Sequence, residues 1–465
     1  MNDYPAIIWG TRTISYQKLE GYISSAIKLL KGRGIGPQDR VVLIGPNSVE
    51  YVIVLLALWR MGAVACPLNP HWPDETIIQC CATLNPKAII TSSNTGLGKV
   101  NFPVIHFSEL ISLTVGGQLN STVPISQPLH QEATMIWTSG SSHPKAAVHT
   151  WGNHYYSAVG ARHAVPLQPG DRWVLSLPLN HVSGISIVVR CFLAGAAIVI
   201  PGDEDLAATI QKHKPTHISL VATQLYRVIN NFVETQNFSS LRAILLGGSA
   251  IPSSLIEKAL NLGLPIYVSY GLTEMSSQVA TGRVETLDKP CVHVLPYRQL
   301  KIDSDGQILV KGETLFKGYW QQNKISIPLT QEDWFKTGDL GKLDDDGCLT
   351  VLGRADNMFI CAGENIQPEE IEQVLLSLEG IEQAVVIPRE DKEYGYRPVA
   401  FIRFLNAETR PASPAGGHCL VSTDKIINHC QKYLPKIKIP VEFYPWPQDL
   451  NQGMKISRQA FQARL

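Results

Sequence analysis

The stretch TSGSSHPK, residues 138–145, gathers Thr138, Ser139, Ser141 and Ser142 around Gly140 and closes on Lys145. Hydroxyl donors, a glycine that lets backbone N–H groups approach an anion, and a mobile ammonium together suit a polyphosphate. A plain surface loop has the same composition, so the stretch alone leaves both readings open. It is not a Walker loop: G-x-x-x-x-G-K-[ST] is absent, and with it the P-loop NTPase mechanism. A second chemical signal is Arg190, which interrupts the apolar run ISIVVRCFLAG. A charge there needs a partner, an internal acid or an anionic ligand, because burying it unpaired is expensive. His181 in LNHVSG precedes the same run. LLGGSAIP places Gly247, Gly248 and Ser249 at a strand end, where small residues allow close approach to a ligand, although a bare turn has the same look.

The elements that must position these groups are legible as alternation. RVVLIG, GAVACPL, AIIT, RWVLSLPL, AAIVIPG, HISLVA, AILLGG and LPIYVSY read as strands. Helix-length stretches such as SVEYVIVLLALWRMG and SSLIEKALNLG lie between several of them, each closed by a glycine at the C-cap. This pattern predicts an α/β protein with layered, largely parallel sheets. After about residue 300 the strands shorten (QILVKG, CLTVLGR) and the turns DSDG and DDDG separate them, as in a small β subdomain. From 354 onward the helix PEEIEQVLLSLEG and the strands QAVVIPRE and RPVAFIRF predict a compact α+β module. The expected boundary is Gly353–Arg354, giving domains 1–353 and 354–465. NAETRPASPAGG, 406–417, reads as a surface loop.

Composition excludes several classes. The chain has 465 residues, 45% hydrophobic and 17% charged, enough for a sizeable core and more than one domain. Its 40 basic and 40 acidic residues balance, so there is no electrostatic footprint for nucleic acid or an anionic membrane. Only the tail, with Lys432, Lys436, Lys438 and Lys455, is locally basic. Nine scattered cysteines without C-x-x-C or zinc-finger spacing are expected to be reduced, mostly buried thiols. The N-terminus carries no signal-peptide pattern, and the two most apolar windows are too short or broken by Arg190 to span a bilayer, so a cytoplasmic location is expected.

Four further motifs follow the first loop in order: YGLTE at 270–274, WFKTGDLG at 334–341, GRADNMFICAGENIQPEEIE at 353–372 and GMKISR at 453–458. With TSGSSHPK they resemble the adenylate-forming superfamily of acyl-CoA synthetases, over nearly the whole chain. PKAAVHTWGNHYYSA, LPLNHVSGISIVVR, HISLVATQLYR and GMKISRQAF are similar to the o-succinylbenzoate-CoA ligase family of menaquinone and phylloquinone biosynthesis. The resemblance implies a large N-terminal domain of layered α/β subdomains and a smaller, mobile C-terminal domain. It implies ATP, Mg²⁺ and coenzyme A as cofactor and co-substrates, small molecules as the partners, and a chain that can form homo-oligomers. The implied reaction makes an acyl-adenylate and pyrophosphate, after which the CoA thiol displaces AMP.

The same resemblance assigns roles. Residues 138–145 hold the β- and γ-phosphates, Thr273 contacts phosphate, and Glu274 helps hold Mg²⁺, a hard ion that prefers oxygen. Tyr270 and Gly271 belong to the same nucleotide motif, and Gly248 and Ser249 approach adenine. Asp339 accepts the ribose hydroxyls, since an ionised carboxylate only accepts. Arg354 reaches ribose or phosphate, or makes a structural ion pair. Lys455 carries adenylation by bridging the carboxylate and α-phosphate oxygens as charge develops. Asp356 is the hinge, and Gly363 lines the thiol channel after the small domain turns. His181 borders the reacting carboxylate. Arg190 meets the second, unreacted carboxylate of o-succinylbenzoate, with Ser219, Thr223, Gln224 and Gly247 in the pocket wall.

Two departures stand out. Relatives place T-S-G-[ST]-[ST]-G-x-P-K at the first loop, with five residues between glycine and lysine; here there are four and no second glycine. Met454 also intervenes between Gly453 and Lys455. The shortened loop bears on ATP affinity and loop mobility, and it keeps a catalytically weakened adenylate-binding protein among the readings. An acyl-CoA ligase for another aromatic or aliphatic acid stays open as well, as does an adenylation module that loads a carrier protein.

Overall fold

The computed structural model describes residues 4–92, 100–111, 128–138, 145–230, 238–248, 251–286, 291–361, 364–391, 394–404, 422–450 and 458–465. Two large sheets form the body of the chain. From edge to edge, the nine-stranded sheet runs His293–Val294, Ser277–Arg283, Ile266–Leu272, Ala243–Leu246, His217–Leu220, Arg172–Val174, Ala197–Ile200, Pro5–Trp9 and Arg12–Ser15. Its centre, from Ile266–Leu272 to Pro5–Trp9, is parallel, and its edges are antiparallel hairpins. The eight-stranded sheet likewise has a parallel half, built on Arg40–Ile44, Val64–Leu68, Ala88–Thr91, Val104–His106 and Glu132–Trp137. It continues antiparallel through Ala146–Thr150 into the hairpin Gly318–Gln321 and Lys324–Ser326. The sequence pattern does not announce that last pairing, because it joins strands about 170 residues apart.

Helices fill the space between the sheets. Val49–Met61 starts on Ser48, whose hydroxyl accepts the Tyr51 N–H, and ends at Gly62 in the left-handed region, φ 75°. Nearly every side chain of this helix is buried, as expected for an element that is apolar on all faces. One core takes Ile7, Trp173 and Ile198 from the nine-stranded sheet and Val41, Leu43 and Ile136 from the eight-stranded sheet around this helix and Val182–Ala194. The outer faces carry their own layers: Leu206–His213, Ala222–Asn230 and Ser253–Asn261 on one sheet, Asp74–Leu84 on the other. The layered α/β architecture expected from the alternation is what the chain builds. No helix among the described residues is long and apolar enough to cross a membrane.

Four of the strands after residue 297 form a separate sheet, Arg298–Ile302, Gln307–Gly312, Phe335–Leu343 and Leu349–Arg354. Strands from Phe359 onward make a further sheet around the long hairpin Ile381–Asp391 and Gly395–Phe404, with cores drawn only from residues after 358. The expectation of nine reduced thiols is corrected: Cys291 and Cys348, 57 residues apart, are joined in a disulfide with Cα atoms 5.3 Å apart. The antiparallel bridge Val292–Leu349 sets those two segments side by side, a long-range contact that cysteine spacing does not reveal. Cys66, Cys80, Cys81, Cys191, Cys361 and Cys430 are free and buried, and Cys419 lies outside the described residues.

Candidate functional site

YGLTE and KTGDLG meet at the strand Ile266–Leu272 and the turn that follows it. YGLTE leaves this strand through a bulge at Tyr270/Gly271 and a single 3₁₀ turn, Thr273–Met275, before Ser277–Arg283 returns alongside. The return passes so close to Gly271 that a Cβ there would lie 2.1 Å from the Ser277 carbonyl oxygen, so no larger residue fits. The turn is held from below and from the side. The Thr273 carbonyl accepts from His149 Nε2 at 2.7 Å and the Glu274 carbonyl from the Phe316 N–H at 2.7 Å. Glu274 Oε1 accepts the Tyr319 hydroxyl at 2.6 Å, and Lys145 Nζ lies 5.1 Å from the centre of the Tyr319 ring. Burial and the neighbouring Glu274 carboxylate push the Tyr319 hydroxyl far above its usual pKa, so it stays a donor.

Lys145 is placed by the strand pair Glu132–Trp137 and Ala146–Thr150. Thr138 and Lys145 close its mouth, the Thr138 N–H donating to the Lys145 carbonyl at 2.9 Å and the Lys145 N–H to Thr138 Oγ1 at 3.3 Å. Its ammonium stands beside the Tyr319 ring, whose hydroxyl donates to Glu274. Ser139, Gly140, Ser141 and Ser142 lie outside the described residues, as do Ser249, Gly363 and Lys455. His149, in the same strand, has Thr134 Oγ1 at 3.4 Å from Nδ1, and that hydroxyl meets His154 Nε2 at 2.8 Å. Burial pushes His149 down to about 4. Its ring is therefore neutral at pH 7, and to donate to Thr273 it must carry its proton on Nε2.

Asp339 and Arg354 face each other in register on Phe335–Leu343 and Leu349–Arg354. Asp339 Oδ2 accepts the Tyr270 hydroxyl at 2.7 Å, which joins the YGLTE and KTGDLG motifs. Oδ1 accepts Arg354 Nη1 at 3.1 Å, and a carboxylate oxygen can accept from more than one donor, which suits a hydroxyl ligand. Arg354 also donates to the Thr337 carbonyl at 2.9 Å and to both oxygens of Asp356 at 3.0 and 3.1 Å. Arg354 thus forms ion pairs with Asp339 and Asp356.

His181 and Arg190, expected at the acid, share the helix Val182–Ala194. His181 is its N-cap residue, and Arg190 follows nine residues on, about 13 Å along the axis. Arg190 is 2% exposed, its Nε and Nη2 are buried with no acceptor, and its guanidinium carbon lies 5.4 Å from the centre of the Trp173 ring. Burial lowers its pKa to about 10. Ser219 Oγ accepts Trp173 Nε1 at 3.1 Å, the indole whose ring lies beside Arg190. Gln224 spends both ends locally, Nε2 on the Ser176 carbonyl at 3.1 Å and Oε1 on the Val221 N–H at 3.1 Å. Thr223 lies in the first turn of the helix Ala222–Asn230. Gly247 lies against the Ser269 carbonyl, where a Cβ would be 3.1 Å away, and Gly248 has φ 86°.

Family models describe two parts of this chain: an AMP-binding enzyme over residues 1–320 and an AMP-binding enzyme C-terminal domain over residues 370–452. The chain belongs to the AMP-binding enzyme family. Within the family it is similar to the 2-succinylbenzoate--CoA ligase of Salmonella typhimurium, 35% identical across 98% of this chain and 94% of the relative. The enzyme of the same name from Haemophilus influenzae is 33% identical across 96% and 91%. Among solved structures, the o-succinylbenzoate coenzyme A synthetase of Bacillus subtilis in complex with ATP and magnesium ion superposes with a TM-score of 0.83. It is 29% identical, covering 96% of this chain and 93% of that one. The same protein in complex with the acyl-adenylate intermediate OSB-AMP gives 0.83 at 28% identity, covering 96% and 92%.

Within this AMP-binding fold, sequence reading missed Tyr319 and His149. Tyr319 sits in FKGYWQQN, an ordinary hairpin strand whose partner is known only once Ala146–Thr150 is in place. His149 had a signal, a histidine inside an otherwise apolar strand pointing to a buried polar contact, but nothing in the sequence names Thr273 as its acceptor.

Proposed function

We propose that the protein ligates coenzyme A to o-succinylbenzoate in two steps. The succinyl carboxylate attacks the α-phosphorus of ATP, forming the acyl-adenylate as pyrophosphate leaves; the CoA thiol then attacks the acyl carbon and AMP leaves. The observation that carries the acid's identity is Arg190: a buried guanidinium with two unpartnered nitrogens fits an anionic ligand that arrives with the substrate. A dicarboxylic acid supplies that anion and still presents a second carboxylate for reaction. His181, at the far end of the same helix, is suited to border the reacting carboxylate.

In this reading Lys145 and the hydroxyls of residues 138–142 bind the β- and γ-phosphates, and the Thr273 hydroxyl contacts phosphate. Asp339, oriented by Tyr270 and Arg354, accepts the ribose hydroxyls, while Gly247, Gly248, Ser249 and Gly271 leave room for adenine and acid. Among the described residues no three His, Cys, Asp or Glu side chains cluster as a metal site of their own. A magnesium ion would thus be held by Glu274 together with phosphate oxygens, in keeping with that ion's habits. Glu274 fits, since its Oε1 already takes a neutral donor, the Tyr319 hydroxyl, and its charge is left for the ion. When bound, the ion neutralises charge building on the phosphates. Lys455 supplies the late positive charge for adenylation, and Gly363 borders the thiol path for the second step. We place the domain boundary at Gly353–Arg354, supported by cores that draw only on residues after 358. A cytoplasmic setting is part of the same reading; six cysteines among the described residues are free, and the Cys291–Cys348 bond weighs against it.

The test is a ligation assay with o-succinylbenzoate, ATP, Mg²⁺ and CoA, read by mass spectrometry of the product. The expected product is o-succinylbenzoyl-CoA, formed with AMP and pyrophosphate. An analogue lacking the ring carboxylate reacting equally fast would overturn the acid assignment in favour of a broader acyl-CoA ligase.

A further inference from the structure

The stretch AVHTWGNHYYS sends His149 into the strand Ala146–Thr150, and His154 and Ser157 into the helix Trp151–Ala161 that follows it. With Thr134 of the neighbouring strand, these side chains are at most 2% exposed, and no step of the proposed reaction uses them. Two of them reach one short turn. His149 Nε2 donates to the Thr273 carbonyl at 2.7 Å, and Ser157 Oγ donates to the Ser276 carbonyl at 2.6 Å. Those carbonyls bracket the 3₁₀ turn Thr273–Met275, which carries Glu274. The backbone leaving the turn is strained: Ser276 and Ser277 have φ 54° and 106°, left-handed values that residues with a side chain keep only where their surroundings hold them. Behind His149, Thr134 Oγ1 lies 3.4 Å from Nδ1 and 2.8 Å from His154 Nε2. A neutral ring that donates through Nε2 accepts at Nδ1, so the Thr134 hydroxyl can donate to His149 and itself accept from His154, which fixes both the ring and its tautomer.

We infer that His149 and Ser157 are positioning residues: by holding the Thr273 and Ser276 carbonyls they fix, ahead of ligand binding, where the Thr273 hydroxyl and the Glu274 carboxylate stand. The inference rests on the phosphate and magnesium roles proposed for those two groups. Both side chains are sealed from solvent, so they act on a ligand only through the turn. Without His149 the Thr273 carbonyl keeps the Ser276 N–H at 3.0 Å, a bond within the turn that moves with it. The strained backbone then relaxes, and the two groups it carries leave their places. In the proposed reaction this turn meets the phosphates and the ion, not the thiol. The loss therefore falls on adenylation and its magnesium requirement and spares thioester formation.

The experiment measures two half-reactions in the full-length protein: ATP–pyrophosphate exchange at varied Mg²⁺ with the acid that the unaltered protein accepts, and thioester formation from supplied acyl-adenylate and CoA. His149→Leu should slow exchange about 30-fold and raise the Mg²⁺ concentration for half-maximal exchange about fivefold, while thioester formation stays within about threefold. His149→Gln, whose amide nitrogen reaches the place of Nε2, should recover exchange to within about threefold of the unaltered protein. Ser157→Ala is nearly isosteric and serves if His149→Leu does not fold; it should slow exchange about fivefold with the same division between half-reactions. Equal loss in both half-reactions, or no recovery of exchange in a folded His149→Gln, would overturn the positioning role. Glu274→Gln separates the inference from the reading beneath it. If that variant lost exchange while folded His149→Leu and Ser157→Ala kept theirs, the inference alone would fall. If Glu274→Gln left exchange and its Mg²⁺ dependence unchanged, the role proposed for Glu274 would be overturned, and the inference with it.

Discussion

Arg190 and Arg458 are both largely withdrawn from water, yet one meets no carboxylate among the described residues and the other meets two. A third, Arg298, lies between these extremes: it donates to the carbonyls of Gln278, Pro296 and Ser157, and burial lowers it to about 9. An arginine that knits a fold together is surrounded by acceptors the chain itself provides. Under the role proposed for Arg190, an arginine kept for a ligand leaves donors unspent, and the free protein carries the desolvation penalty until the ligand arrives. On that proposal the difference would separate structural from recognition roles without reference to where either residue lies in the sequence.

Replacing each arginine by an apolar residue of similar length breaks the comparison most sharply. Arg190→Met should lower kcat/KM for the acid by about 100-fold, the scale of one charge-assisted contact, and leave the KM for ATP alone. Its melting temperature should hold or rise, since an unpaired buried charge has been removed. A marked drop in melting temperature with unchanged acid kinetics would make Arg190 structural after all. Arg458→Met should do the reverse in urea unfolding, losing about 3 kcal/mol because two acids are left without their cation.

Histidines and acids sharpen the contrast, because such a group can shed its charge on burial where an arginine keeps it. His149, with a usual pKa of 6.5, is pushed down to about 4 by burial. The unfolded chain therefore binds this proton more readily than the fold. The stability tied to the neutral ring is complete above pH 6.5 and is lost as pH falls through 4, about 3 kcal/mol over the window. His217, also near 4 through burial, leans the same way. Glu372 leans the other way: burial raises it to about 7 against the pull of Arg458, so its contribution is complete below 4.5 and is lost as pH rises through 7. Equilibrium unfolding between about pH 4 and 7 should accordingly flatten in His149→Gln and steepen on the acid side in Glu372→Gln. Parallel curves for all three proteins would contradict these assignments.

How much of the molecule is legible in its sequence follows contact distance along the chain. The layered α/β body, the glycine cap at Gly62 and the order of the nucleotide motifs are local patterns, and they are readable as such. Arg190 is legible as a problem, a charge inside an apolar helix, though only the packed structure shows that no acid among the described residues answers it. Tyr319, which links Lys145 to Glu274, and the Cys291–Cys348 bond are not legible, because each depends on strands far apart in sequence. Arg458 is hidden differently: it sits in a recognisable motif in the shadow of Lys455, and its meaning comes from Glu369 and Glu372, nearly ninety residues earlier.

The smallest expected effect tests the acid where the two regions meet. Asp339 takes one hydrogen bond from Tyr270 and one from Arg354, and the Arg354 carbonyl connects through Gln367 and Glu369 to Arg458. Tyr270→Phe removes a single neutral donor and leaves the cation in place, so Asp339 keeps its charge and most of its orientation. The KM for ATP should rise about fivefold, near 1 kcal/mol, with kcat little changed. Arg354→Gln removes the cation and the tie to Asp356 together, so it should raise the KM further and also lower kcat. If Tyr270→Phe proved the more damaging of the two, orientation by the tyrosine rather than charge balance by the arginine would govern Asp339. Asp339 would then resemble the role proposed for Arg190, a group held ready for a ligand, more than the saturated pairs around Arg458.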